Sequence, residues 1–248
     1  MLTENSRGAC IKDRQAQAFC AASVEKCPRK LRSYDQAKLY GGLNRGVNAT
    51  FKDNNSSIAF EGGIGLNLRD GNLTTVALTH IGPENPGNNR DYRFLNDITT
   101  TWKVTKALTW ITDLNLIYDQ LPDAYGFGFA QYFTYAVNDW LILGLRGEVW
   151  RDDKGFYVGQ FRANNDFIHI ERGDPLAPDP STYLGGPTTY FELTAGITLK
   201  PPVPKPLAGL LIRPEVQYGR ALTDAFAPYD QHTDRDQWTL GLDVILEF

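Results

Sequence analysis

The sequence predicts an all-β protein, an antiparallel up-and-down transmembrane β-barrel of about ten strands. The first sign is the closing run Gln237 to Phe248 (QWTLGLDVILEF), which sets Trp238, Leu240, Leu242, Val244, Leu246 and Phe248 on one side of a strand and Gln237, Thr239, Gly241, Asp243 and Glu247 on the other. Two-residue alternation fits a wall with lipid on one side and water on the other. Comparable runs recur upstream at regular spacing, separated by turn residues, as a meander requires. Mean hydropathy is only −0.35, and no stretch approaches the roughly 18 to 20 apolar residues of a membrane-spanning helix. A barrel strand needs about 9 to 11 residues, half of them apolar, so it escapes a hydropathy plot.

Taken in order, residues 1–36 read as an N-terminal extension, irregular or partly helical, ahead of a barrel over residues 37–248. The extension mixes Arg7, Lys12, Arg14, Lys26, Arg29, Lys30 and Arg32 with all the cysteines, Cys10, Cys20 and Cys27. It lacks the basic start, apolar run and small-residue site of a secretory signal, which an outer-membrane protein should carry. The expectation is a truncated or misassigned reading frame. The barrel part has no cysteine, hence no disulfide or thiolate metal framework, and the cysteine spacing lacks a CxxC pair.

The strands follow. Ser57 to Leu68 sets Ile58, Phe60, Ile64, Leu66 and Leu68 against Glu61 and Asn67, and Tyr92 to Val104 sets Phe94, Ile98, Trp102 and Val104 against Arg93, Asp97, Thr99, Thr101 and Lys103. Leu108 to Tyr118, Leu141 to Arg151, Thr189 to Lys200 and Leu211 to Leu222 behave alike, with Asp113, then Arg146 and Glu148, then Glu192, then Arg213 and Glu215 on their polar sides. Leu39 to Phe51, Leu73 to Ile81 and Phe127 to Val137 alternate less cleanly. Ten is an even number, as bacterial single-chain barrels require. Pro214 lacks a ladder N–H in a fold with no free edge, and a bulge is expected there.

Turn length gives the sidedness, because such barrels have short periplasmic turns and long outer loops. With Phe248 at the periplasmic end, Arg69-Asp70-Gly71-Asn72, Thr105-Lys106-Ala107 and Asn138-Asp139 fall on that side. Pro83 to Asp91, Asp119 to Gly126, Asp153 to Gly186 and Thr223 to Asp234 then face outward. Pro201 to Gly209 is long for a periplasmic turn, and Lys52 to Ser56 is short for an outer loop. Trp102, Trp110, Tyr118, Phe127, Tyr135, Trp140, Tyr190, Tyr218, Trp238 and Phe248 cluster toward strand ends, as interfacial girdles do.

The polar faces nominate a pore wall of Glu61, Arg93, Asp97, Lys103, Asp113, Arg146, Glu148, Glu192, Arg213, Glu215 and Asp243. Such charges set ion preference, or else neutralise one another across strands and fill a narrow lumen. The long segment Asp153 to Gly186 carries Arg162, Asp166, His169, Glu171, Arg172, Asp174 and Asp179. It is expected to fold into the mouth as a constriction loop, against the plainer reading of a solvated surface loop.

Other chemistry finds little support. His80, His169 and His232 are scattered without a nucleophile signature, so no hydrolase, cofactor or metal site is expected. Asp224, Asp230, Asp234 and Asp236 lack Ca²⁺-loop spacing, and Asn48-Ala-Thr50 and Asn72-Leu-Thr74 match a glycosylation pattern that arises by chance. Net charge −4 and pI near 5.4, with no basic stripe in the barrel part, argue against nucleic acid.

Leu211 to Glu215 (LIRPE) follows a proline-containing turn, and Thr233-Asp234-Arg235-Asp236-Gln237 leads into a terminal-Phe strand. With Arg146-Gly147-Glu148, the stretch Trp150 to Gly155 and the segment Ile81 to Arg93 (IGPENPGNNRDYR), they resemble the putative β-barrel porin, OmpL-like family over roughly residues 40 to 248. The resemblance implies a porin-type barrel in the bacterial outer membrane, whose relatives carry a signal peptide and further strands upstream. On that expectation the ten strands either close on themselves or form the C-terminal part of a wider barrel.

The expected function is a channel for passive diffusion of small hydrophilic solutes. Its expected partners are outer-membrane lipid, lipopolysaccharide and, through Phe248, the barrel assembly machinery. From a different class comes a non-conducting structural or adhesive barrel with a side-chain-filled lumen. A soluble ligand-binding barrel is the third reading, and it would turn the aliphatic faces inward.

Overall fold

The computed structural model describes residues 36–47, 55–158, 187–223, 227–229 and 233–248. They form one antiparallel sheet of ten strands in sequence order. The strands are β1 (Gln36–Asn44), β2 (Ala59–Leu68), β3 (Leu73–Pro83), β4 (Tyr92–Lys103) and β5 (Leu108–Asp119), then β6 (Ala124–Ala136), β7 (Leu141–Asp152), β8 (Thr188–Leu199), β9 (Gly209–Ala221) and β10 (Asp236–Glu247). Each pairs only with its sequence neighbours, so the meander read from turn spacing is the observed topology. Among the described residues β1 and β10 do not pair, and the sheet stays open along that seam.

The boundaries follow local chemistry. Between β2 and β3 the chain reverses through a 3-10 turn at Arg69–Gly71, where Arg69, Asp70 and Gly71 have positive φ, with Asn72 N–H donating back to Arg69 O at 3.1 Å. Thr105 Oγ1 accepts from Ala107 and Leu108 N–H in the β4–β5 turn, and Asn138 Oδ1 accepts from Trp140 and Leu141 N–H in the β6–β7 turn. These side-chain caps are what Thr and Asn contribute to tight reversals.

Pro214 produces no bulge. Gly196 faces Glu215 and Leu199 faces Ile212, the same alignment on both sides, so no extra residue enters the strand. Instead two rungs of the β8–β9 ladder are missing opposite Pro214 and Arg213, while the β9–β10 register runs through Pro214 unbroken. A missing N–H toward one neighbour costs hydrogen bonds locally without shifting register.

The two faces differ sharply in chemistry. Residues directly opposed across a strand pair share a face, so the registers assign each position. The outer face carries the exposed Leu39, Phe60, Trp110, Phe127, Leu145 and Leu240. The other face carries polar groups and, near the loop ends, buried ones such as His80, Arg93 and Asp119.

Two aromatic rows band the outer face. Phe94 stacks on Tyr118 and Tyr118 on Tyr125, while Trp102 contacts Trp110 and Trp110 stacks on Phe133. Each strand spends eight residues between its two ring positions, Phe94 to Trp102, Trp110 to Tyr118 and Tyr125 to Phe133. That is about 26 Å along a strand, or about 20 Å of height at a tilt near 40°, close to the apolar band of membrane barrels. Tyr190 departs from the girdle expectation: it stands on the inner face, 8% exposed, because it shares parity with Glu192 rather than Phe191.

Candidate functional site

Charge is partitioned between the faces. Outward positions of the strands carry charge only at Arg151, Arg220 and Asp236, all at the loop end of their strands. Every residue nominated for the pore wall lies on the opposite face. Glu61, Arg93, Asp97, Lys103 and Asp113 occupy it on β2, β4 and β5. Arg146, Glu148, Glu192, Arg213, Glu215 and Asp243 continue it on β7 to β10. On a face turned to lipid, a charge at mid-depth would cost about 2 to 4 kcal/mol.

Halfway along the strands these side chains form a belt. Thr99, Asp113, Ala130, Glu148 and Glu192 are successive cross-strand neighbours in one row. Arg146, one row toward the short turns, donates to both Glu148 and Glu192 and lies 5.5 Å from the centroid of the Tyr132 ring. Glu192 also accepts from Gln217 Nε2 at 2.6 Å. Arg213 donates to Asp243 across the next pair. Asp97 and Asp113 meet neutral donors instead, Thr99 Oγ1 at 3.0 Å and Asn115 Nδ2 at 3.1 Å. A cavity of about 580 Å³ opens beside Tyr132, Arg146, Arg213, Glu215 and Asp243. The belt is therefore hydrogen-bonded yet adjoins open space.

Part of the loop end of the same face is packed away from water. Asp119 is fully buried and accepts from Arg93 Nε at 2.8 Å, Asn85 Nδ2 at 2.8 Å and Leu121 N–H at 3.0 Å. Arg93, nominated as pore-lining, is 2% exposed, and its guanidinium lies 5.8 Å from the Phe156 ring centroid. It braces the mouth from within the wall.

Phe156 reaches that position because residues 153–158, the start of the β7–β8 connection, turn inward. Buried Asp152 organises the turn, accepting from the N–H groups of Phe156 at 3.0 Å and of Tyr157 and Val158 at 2.8 Å each. Gly155, at φ 70°, supplies the left-handed step. Tyr157 donates its hydroxyl to Ala124 O at 2.8 Å, and Tyr190 donates to Val158 O at 3.3 Å. Burial pushes the Tyr157 phenol well above its ordinary range, so the hydroxyl stays a donor. Trp150 lies over Gly126 and Gly128, where an added Cβ would come within 2.6 and 2.7 Å of the indole. His80 Nε2 sits 3.2 Å from Asn44 Oδ1 and 3.6 Å from Glu84 Oε1, closing the β1–β3 side of the rim.

Arg162, Asp166, His169, Glu171, Arg172 and Asp174, the nominated constriction residues, lie outside the described residues. So do His232, Asp224, Asp230 and Asn48. Asp119 and Asp152, which organise the mouth, were not among the nominated residues. The signal was available: each extends the inward parity by one step, Asp113-Asn115-Ile117-Asp119 and Arg146-Glu148-Trp150-Asp152, past strand ends placed one residue short.

An outer face bearing charge only at its loop end, a polar inner face and a ten-strand meander set the frame for one sequence match. The family profile described as putative beta-barrel porin-2, OmpL-like, covers residues 30–248. The chain belongs to this family. Among curated proteins no match was found. The family supports a porin-like barrel at the coarse level, and the charged belt lies midway along its inner face. The open seam between β1 and β10 is consistent with part of a barrel.

Proposed function

We propose that the protein is a non-enzymatic channel in the bacterial outer membrane that passes small hydrophilic solutes by passive diffusion. The carrying observation is the partition of charge: outward strand positions carry it only at the loop ends, and inward positions carry it at every depth. Water is the solvent that suits the inner face, and hydrocarbon suits the outer one. The spacing of the aromatic rows supports a bilayer span, and Arg151 and Arg220 stand at the outer rim where lipopolysaccharide phosphates would lie. Phe248, 88% exposed beyond the last strand, is available to the barrel assembly machinery.

Liposome swelling tests this reading. Purified, refolded protein in lipid vesicles should let an isosmotic sugar enter and swell them. Vesicles that hold their volume, with the barrel shown folded by its heat-dependent gel mobility, would overturn it.

One observation favours the non-conducting alternative, a structural or adhesive barrel with its lumen filled. Asp153 to Val158 already fills part of the mouth, with Phe156 at 2% exposure. The two readings part in the same experiment, because solute entry requires a continuous aqueous path.

A further inference from the structure

Resting on the channel reading, we propose that the lumen selects by charge and passes small cations in preference to anions of the same size. The structure shows where every lumen arginine of the described strands spends its charge. Arg93 is committed to buried Asp119, Arg146 is bracketed by Glu148 and Glu192, and Arg213 faces Asp243. None of the three presents uncompensated positive charge to a passing anion, and the Arg146 group carries one carboxylate in excess.

What remains on the wall is acidic at mid-depth. Asp97, Asp113 and Glu215 there, and Glu61 nearer the loop end on the row of His80, project from the lumen face and form no ion pair with a lysine or arginine of the described residues. Of the other lumen cations of the described strands, Lys103 stands at the periplasmic end of β4, and Lys38 lies on the belt's own row, level with Thr99 through Gly65 and Val76, where it offsets one carboxylate. Asp97, Asp113, Glu215 and the surplus carboxylate of the Arg146 group outnumber Lys38 there, so the excess lies where a solute must cross.

A wall of one sign, backed by low-dielectric protein, concentrates the opposite ion. At the dielectric of water one carboxylate about 10 Å from the axis biases a monovalent cation over an anion by about fourfold. Salt screens this over a length of about 10 Å at 0.1 M. The preference is therefore expected to be severalfold in dilute salt and to fade as salt rises.

The test is the reversal potential of the full chain in a planar bilayer under a KCl gradient. The expected sign is that of K⁺ preference, shrinking at high salt. Replacing both Asp97→Asn and Asp113→Asn should move the potential toward zero. Arg213→Gln, which frees Asp243, should move it further toward K⁺ and guards against a double variant that fails to insert. A zero or Cl⁻-directed potential in the unaltered protein overturns this inference while leaving the channel standing. Absence of any conductance from folded, inserted protein overturns the channel reading and the selectivity with it.

Discussion

The mouth and the belt of this barrel are built from the same residue types and solve opposite problems. At the mouth, Asp119 and Asp152 are fully buried, and their partners are one arginine, one asparagine and a set of backbone N–H groups fixed in place. At the belt, Arg146, Glu148 and Glu192 keep 32%, 24% and 25% of their side-chain surface exposed, beside an open cavity. A buried carboxylate must be satisfied by rigid donors, and it then acts as a staple. A half-wet one can exchange its partner for water, so its charge stays available to solutes.

If that contrast is right, breaking the mouth costs far more than breaking the belt. Arg93→Met leaves Asp119 charged and buried without its cation, an expected loss of about 3–5 kcal/mol. Urea unfolding in detergent, read by tryptophan fluorescence, measures it. Adding Asp119→Leu to Arg93→Met should recover most of the loss, since removing both partners lifts the desolvation penalty. A double variant as unstable as the single one would mean that packing around Phe156, and not charge, carries the cost.

Asp152→Ala comes next. It strips the acceptor from the N–H groups of Phe156, Tyr157 and Val158, at about 1–3 kcal/mol. Its larger consequence is geometric: the inward turn loses its anchor, and single-channel conductance should rise. Unchanged conductance would show that residues 153–158 do not narrow the path. Asp152→Asn, which keeps one acceptor oxygen, should fall between.

The belt should prove cheap. Arg146→Gln exposes Glu148 and Glu192 to water they already touch, and the same unfolding assay should register about 1 kcal/mol or less. A loss as large as that of Arg93→Met would erase the distinction drawn between the two regions.

How far the sequence reveals these regions depends on which physical rule governs each. Alternation is local and strict, so the strands, their order and the face of Glu61, Asp97, Arg146 or Asp243 are legible from one chain. Burial is set by what folds over a residue, and nothing near Arg93 in sequence announces Phe156, which arrives from the β7–β8 connection. Tyr190 shows the same limit: placing an aromatic near a strand end does not say which face it takes, and parity with Glu192 decides. Pro214 was legible as a defect. Its consequence, two lost rungs without a bulge, depended on β8 holding register on either side.

The smallest expected effect lies on the outer surface of the mouth. Lys154 Nζ donates to Asp123 Oδ2 at 3.1 Å and to Pro122 O at 3.2 Å, tying the base of the inward turn to the β5–β6 loop. The hydrogen bond and charge of Lys154 hold the Asp123 carboxyl below its ordinary 3.8. A carboxylate depressed in the folded state adds stability above its unfolded pKa, and that contribution drains away as pH falls through the lower folded value. The contribution is therefore intact at neutral pH and lost only below about pH 4, and because the pair is solvent-exposed, salt should weaken it as well. Lys154→Ala should leave neutral-pH unfolding nearly unchanged in high salt and flatten a small part of the acid limb in low salt. An effect that ignores salt would move this contact from the exposed rim into the same class as Asp119 and Arg93.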